Sequence, residues 1–383
     1  MKIALLTMTF NNNYGGYLQA YSLMSYLKEL GHEVEMLNVQ LEDKEFKTLF
    51  KTKIKNFIKR NIVTYFIKKY ENAKYEKIFI KHKDQIEIKM LEFNDKYIQP
   101  KTRKIFSLQE FDETVEDKYD AYIVGSDQVW RPIMYKFFDK AFLGFVKNEK
   151  AILLSYAASF GIDELKLNDI DIEKYKKQIQ RFKAVSVREK SGIEICRNIL
   201  NTYAELVLDP TMIIDKSYYD RVIEDESKDI PGELLTYILD DNSDKTDIIN
   251  YVTSKLNLKA FRVNPKPPHL ATSLDEVIYP SIGYWLKGFE NAKYVVTDSF
   301  HGTVFSIIYN KPFIAIGNKG RGIARFNSLL KMFGLEDRLI FDDKSFNKSL
   351  INKEIDWEKV NKKLEDYRKI SKEFLVNNLG NTK

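Results

Sequence analysis

Short apolar runs alternate with stretches of helical period along most of this chain. The first run, Ile3–Met8, is continuous and bounded by polar turn residues, which predicts a buried strand. A polar loop, Thr9–Gly16, follows. Tyr17–Leu30 then places Leu18, Tyr21, Leu23, Leu27 and Leu30 at helical spacing, and Gly31 supplies a helix stop. Val34–Val39 predicts the next strand. A strand–loop–helix–strand unit of this kind opens a doubly wound α/β domain. The pattern resumes with strands at Ala121–Val124, Ile152–Tyr156, Ala184–Val187 and Glu205–Leu208, and a helix over Tyr175–Phe182. A second alternation has strands at Leu234–Leu239, Ala260–Val263, Tyr294–Thr297 and Phe313–Ile316. Helices at Asp247–Leu256, Ile282–Glu290 and Val304–Tyr309 separate them, and Trp357–Leu375 closes the chain as a charged helix.

The expected fold class is therefore α/β, with two Rossmann-like domains facing a cleft. Residues 1–210 form the first and 211–345 the second. Residues 346–383 carry the terminal helix, placed to pack back on the first domain. The length of 383 residues agrees, because a single core stops growing at about 250–300 residues.

Charge changes the picture in one place. The chain carries a net +6, but Lys44 to Lys83 holds 13 Lys/Arg against three Glu, a net of +10, which leaves −4 for the rest. Residues 44–116 read as a basic insertion of two or three helices in the first domain. Phe46, Leu49, Phe50, Ile54, Phe57 and Ile58 recur there at helical spacing. Two readings stand: a solvated helical face, or a basic amphipathic helix giving peripheral contact with an anionic membrane through residues 44–83. Basic and aromatic residues form no nucleic-acid motif, so no nucleic-acid partner is expected. The single cysteine, Cys196, excludes an intramolecular disulfide framework and a zinc site of several thiolates. A reducing, cytoplasmic setting is expected. The opening MKIALLTMTF lacks the features of a signal peptide, and no apolar run reaches the ~18 residues of a membrane-spanning helix.

Two open α/β domains place a ligand cleft at the carboxyl ends of their strands, and the candidate chemistry sits in turns there. In NNNYGGYLQAY (11–21) glycines allow close backbone approach and a helix N-terminus favours anions. The loop is neither G-x-G-x-x-G nor a Walker loop. Asn13, Gly15 and Gly16 are expected to face the cleft; the alternative is a tight turn only. In VGSDQVW (124–130), Asp127 can orient a sugar hydroxyl or accept its proton, or cap the next segment with Ser126. Trp130 is either a platform for a sugar face or core. In VSVREKS (185–191), Arg188 follows an apolar strand end. Its guanidinium suits a carboxylate or phosphate, or an ion pair with Glu189 or Glu194. In TDSFHGTVFSII (297–308), the His301 imidazole can exchange a proton near neutral pH beside a positive helix end, and Gly302 permits close backbone approach. The alternative is that Asp298 or Ser299 caps the helix and His301 stands by. In GNKGRGIARFNSLL (317–330), Lys319, Arg321 and Arg325 can meet an anion or decorate a helix surface.

Taken together, NNNYGGYLQAYSL, YIVGSDQVWRP, SYAASFG, SVREKSG, LVLDPT, VTDSFHGTVFSIIYNKPFIAIG and RFNSLL resemble the polysaccharide pyruvyl transferase family, in order, over about residues 1–340. The resemblance implies a GT-B-like fold. It implies transfer of a pyruvyl group from phosphoenolpyruvate to two hydroxyls of a surface polysaccharide or its lipid-linked precursor, giving a cyclic ketal. On that reading His301 and Asp127 are catalytic, and Arg188, Ser299, Gly302, Arg321 and Arg325 bind the donor. Asn13, Gly15, Gly16 and Trp130 bind the saccharide acceptor. No cofactor and no metal is demanded. One position departs from the family: many members carry an arginine two residues before the histidine, where this chain has Ser299. The cation is then expected from Arg321 or Arg325. The alternative function is a nucleotide-sugar glycosyltransferase on the same fold, with TDSFHG and the 317–322 turn holding a diphosphate. A non-catalytic binding protein would lack the histidine or the cationic cluster, and this chain keeps both.

Overall fold

Six apolar segments of the amino-terminal half pair side by side as a parallel sheet. These are β1 (Lys2–Leu6), β2 (Glu33–Met36), β3 (Ala121–Val124), β4 (Ile152–Ala158), β5 (Ala184–Val187) and β6 (Glu205–Leu206), in the order β2-β1-β3-β4-β5-β6. Five more, β7 (Leu234–Tyr237), β8 (Ala260–Arg262), β9 (Tyr294–Thr297), β10 (Phe313–Ile316) and β11 (Leu339–Ile340), form a second sheet in the order β11-β10-β9-β7-β8. Every pairing in both sheets is parallel. The structure is a computed structural model and describes residues 1–10, 12–40, 82–115, 118–132, 137–266, 271–317 and 322–380.

The strands that flank the site, β3, β7, β9 and β10, are buried along their whole length. That matches their unbroken apolar runs, since a parallel sheet is covered on both faces. Strand order reverses between β1 and β3 in one sheet and between β7 and β9 in the other. Crevices open at such switch points, beyond the carboxyl ends of the strands. The turns after β1, β3 and β9 therefore sit where ligands bind in this architecture.

Four helices start earlier than periodicity suggests, among them Asp169–Ile179 and Ser243–Leu256, and two of the four bear on the site. The first spans Tyr14–Glu29, with Asn13 at its N-cap, so Gly15 and Gly16 are helical residues and not loop. The helix after β9 spans Phe300–Ile308 with Ser299 as N-cap, so His301 lies in its first turn. In both cases polar and small residues hid the first turn, because apolar spacing begins only where the helix meets the core. The short β11 and the helices Lys190–Asn198, Ser217–Glu224 and Ile323–Phe333 carried no expectation of their own.

Of the basic insertion, residues 82–97 are helical and Leu108–Thr114 forms a short helix; the amphipathic pattern at 46–58 lies outside the described residues. The terminal helix, Trp357–Leu379, reaches back to the segment that joins the two sheets. Its Ser371 Oγ accepts the Leu208 amide at 2.9 Å, and Arg368 Nε donates to the Met212 carbonyl at 2.6 Å. Among the described residues, no helix is long and apolar enough to cross a membrane.

Candidate active site

The turn after β3 is a strained one. Asp127 has φ +70°, the left-handed region a side chain seldom adopts, and two bonds hold it there. The Ser159 amide donates to the Asp127 carbonyl at 3.0 Å, and the Trp130 amide to the Ser159 carbonyl at 3.2 Å. Such strain persists where the surroundings over-determine it, often at functional sites. The conformation turns the Asp127 carboxylate toward Arg188, at the end of β5. Arg188 Nη2 lies 2.9 Å from Asp127 Oδ1, and Nη1 lies 2.5 Å from Asp209 Oδ2 and 3.2 Å from Ser126 Oγ. Asn13 Nδ2 reaches Asp127 Oδ2 at 3.4 Å.

Asp209 is fixed from its other oxygen. Oδ1 accepts the Thr211 amide at 3.1 Å and the Thr211 hydroxyl at 2.7 Å. Glu189 Oε1 accepts from Ser159 Oγ, the Phe160 amide and the Gly161 amide at 2.9, 2.8 and 3.1 Å. Its Oε2 lies 4.0 Å from Arg188 Nε, and neither atom has a hydrogen bond among the described residues.

The second domain brings its own groups to this cluster. His301 Nε2 stands 3.6 Å from Asp209 Oδ2, an ion-pair distance and longer than a hydrogen bond. Arg325, on the helix Ile323–Phe333, places Nη1 3.9 Å from Asp127 Oδ1. Phe300 meets both cations, its ring centre 4.7 Å from Arg188 Cζ and 5.3 Å from Arg325 Cζ. The domains also touch where Lys190 donates its amide to Ser328 Oγ at 2.8 Å. Another contact is Gly322, where a β-carbon would come within 2.7 Å of the Gly161 carbonyl.

Asn13 is half-buried; the charged side chains of the cluster are buried, so their charges act in a low-dielectric setting. Burial pushes the Asp209 carboxyl up, but His301, Arg188 and the Thr211 hydroxyl outweigh it and hold it well below the carboxylate range. Asp127 is likewise held down, against burial, by Arg188, His301 and Arg325. Burial raises Glu189 despite Arg188 and its hydrogen bonds. Arg325 is lowered to about 10, first by burial and then by the charge of Arg188.

The sequence-predicted residues divide into three groups. Asn13, Gly15, Asp127, Arg188, His301 and Arg325 meet in one place. Ser299 and Gly302 lie beside them with other tasks. Ser299 Oγ accepts the Gly302 amide at 3.3 Å as the N-cap. Gly302 is small because a β-carbon would sit 2.2 Å from Thr297 Oγ1, so the close approach it permits is to β9 and not to a ligand. Gly16 packs on Asn13, 3.2 Å from where its β-carbon would be. Trp130 does not face the cleft. It is 0% exposed, stacks on Phe142 at 5.5 Å and donates its indole N–H to the Ala141 carbonyl at 3.0 Å. Its large apolar area belongs to the core, which corrects the expectation of a sugar platform. Arg321 and Lys319 lie outside the described residues.

Asp209 and Phe300 were not singled out from the sequence, and Glu189 only as an ion-pair partner of Arg188, whose Nε its Oε2 approaches at 4.0 Å. Asp209 carried a signal: it is a charge directly after an apolar strand end, in LVLDPT, the same argument that selected Arg188.

Among solved structures, the chain is similar to UDP-GlcNAc 2-epimerase of Neisseria meningitidis at 9% identity and TM-score 0.49, covering 99% of this chain and 100% of that one. It is also similar to MurG of Acinetobacter baumannii at 10% identity and TM-score 0.41, covering 98% of each chain. A glycosyltransferase of Rickettsia africae aligns at 13% identity and TM-score 0.40, over 98% of this chain and 99% of that chain. No curated protein matches the chain. The family model for polysaccharide pyruvyl transferase matches residues 13–320, a span that begins at Asn13 and contains Asp127, Arg188, Asp209 and His301. The chain belongs to the polysaccharide pyruvyl transferase family and is a transferase enzyme of polysaccharide biosynthesis.

Proposed function

We propose that the donor is phosphoenolpyruvate and that the product is a cyclic pyruvyl ketal on two hydroxyls of a saccharide or lipid-linked saccharide. The observation that carries this is the crowding of cations from both domains around one ring. Arg188 and Arg325 both face Phe300, and the charge of Arg188 depresses Arg325. Asp127 Oδ1 already lies 2.9 Å from one guanidinium and 3.9 Å from the other, and phosphoenolpyruvate offers a carboxylate and a phosphate to their remaining N–H donors. Arg325 stands in for the arginine that many family members carry at the position of Ser299.

The chemistry balances as follows. The methylene carbon of the donor gains a proton and becomes the pyruvyl methyl group, which leaves the adjacent carbon electrophilic. A first sugar hydroxyl forms a C–O bond there and gives up its proton. The C–O bond to phosphate breaks, its electron pair leaves with phosphate, and phosphate takes up a proton. A second hydroxyl attacks the same carbon, closes the ketal and gives up its proton, so the two hydroxyl protons balance those taken up by the methylene carbon and the phosphate. His301 gives and takes the protons. Asp127, held as an anion, orients the acceptor hydroxyl, and its depressed pKa makes it a poor proton acceptor. The buried donors, already in position, stabilise the charge that develops.

The test is donor choice. The purified chain is incubated with phosphoenolpyruvate and a saccharide panel, and with nucleotide sugars and the same panel. The expected result is phosphate release and a pyruvyl ketal product with the first donor only, with thermal stabilisation by phosphoenolpyruvate. Sugar transfer from a nucleotide sugar, with no response to phosphoenolpyruvate, would overturn it.

A further inference from the structure

Building on the assignment of His301 as the proton-transfer group, we propose that Gly15 and Asp209 form a seat for its imidazole. The seat fixes the ring proton on Nε2 and reserves Nδ1 for exchange with substrate. Both are positioning residues, and both come from the opposite domain.

Gly15 lies in the first turn of the helix Tyr14–Glu29. Five glycines of the described residues have positive φ, and Gly15 is not one of them, so no backbone conformation calls for glycine. Helix propensity does not call for glycine either. What the position requires is space. A β-carbon there would lie 1.9 Å from His301 Nδ1, 2.2 Å from Cγ and 2.6 Å from Cε1. The face of the ring on its Nδ1 side thus rests on an α-carbon without a side chain. A glycine that only this approach calls for marks a functional contact.

The Nε2 edge faces a carboxylate whose orientation does not depend on the histidine. Asp209 Oδ1 is held by Thr211, and Oδ2 by Arg188 at 2.5 Å, while His301 Nε2 looks onto Oδ2 at 3.6 Å. Nε2 has no hydrogen bond among the described residues. In a neutral imidazole the single proton goes to the nitrogen that faces an acceptor, which is Nε2 here. Nδ1 then carries the lone pair. A substituent at Gly15 would press on the ring face and displace the imidazole from Asp209.

The experiment uses the full chain, with kcat, KM for phosphoenolpyruvate and Tm measured for wild type, Gly15→Ala and His301→Ala. In parallel, ring-labelled histidine is observed by NMR, and the His301 signals are identified by their loss in His301→Ala. Gly15→Ala is expected to lower Tm by only a few degrees as the ring moves aside, hold KM within about threefold and lose kcat by about 100-fold, the scale of an ångström-sized misplacement. The neutral His301 ring is expected to be protonated on Nε2 in wild type, and this preference is expected to disappear in Asp209→Asn. A Gly15→Ala enzyme with kcat within threefold of wild type would overturn the seat, as would a wild-type ring protonated on Nδ1. If Gly15→Ala or Asp209→Asn folds poorly, the wild-type ring spectrum decides alone. An active His301→Ala would overturn the underlying assignment of His301 instead, so the two failures are distinguishable.

Discussion

Asp127 and Asp298 each sit close behind a fully buried strand, β3 in the first domain and β9 in the second, yet their carboxylates are held differently. Asp298 accepts the amides of Leu239 and Asp240 at 2.7 and 3.1 Å and pairs with Lys245 Nζ at 2.6 Å, all within its own domain. It staples the ends of β7 and β9 together and leaves His301, three residues on, to project outward. Asp127 instead pairs with a guanidinium and meets a second cation from across the cleft. In the second domain anchoring and chemistry fall to different residues of one turn. In the first domain the same side chains do both, so they cannot be altered one at a time without cost.

That contrast sets the order of expected effects. Arg188→Ala leaves Asp127 and Asp209 buried without their shared partner. Stability should fall by about 3–5 kcal/mol, the usual cost of breaking a buried pair from one side. Chemical denaturation measures it, and a loss under 1 kcal/mol would mean that the cluster is not an integral anchor. Arg325→Gln should fold and raise KM for phosphoenolpyruvate by roughly 10- to 100-fold, the worth of one or two charge-assisted hydrogen bonds. An unchanged KM would remove Arg325 from donor binding.

Acid should separate the carboxylates by sign. Asp127 and Asp209 are held below their ordinary pKa in the folded chain. Their stabilisation is therefore present above the ordinary carboxylate range and is lost as pH falls below it toward the folded values. Glu189 is raised, so its ionisation works against the folded state as pH rises through that range. Denaturation from about pH 5 to about pH 3 should show wild type losing up to about 1.4 kcal/mol per pH unit for each proton taken up. Asp209→Asn should show a shallower slope, and parallel curves would contradict the assignment. The smallest effect belongs to the staple side. Ser299→Ala removes only an N-cap bond and should cost about 1 kcal/mol, read as a shift in denaturation midpoint.

Much of the fold was legible because parallel strands bury both faces and read as unbroken apolar runs; Ala121–Val124, Ala184–Val187, Tyr294–Thr297 and Phe313–Ile316 match the structure end to end. The first turns of helices were not legible, since Tyr14–Gly16 and Phe300–Thr303 are chosen for contacts across the cleft and break helical periodicity. The site was legible as a set of turns, because charge at a strand end has no packing reason. Which partner each charge takes was not, for pairing depends on the fold: Arg188 meets Asp127 and Asp209, neither of which was predicted as its partner. Trp130 misled because an indole serves a core and a sugar face equally well.

The most direct test of the account is the yield of pyruvyl ketal from phosphoenolpyruvate and a competent saccharide with His301→Ala beside wild type at matched Tm. The account predicts product from wild type and a rate lowered by at least about 100-fold in the variant. A variant within a few fold of wild type would contradict it.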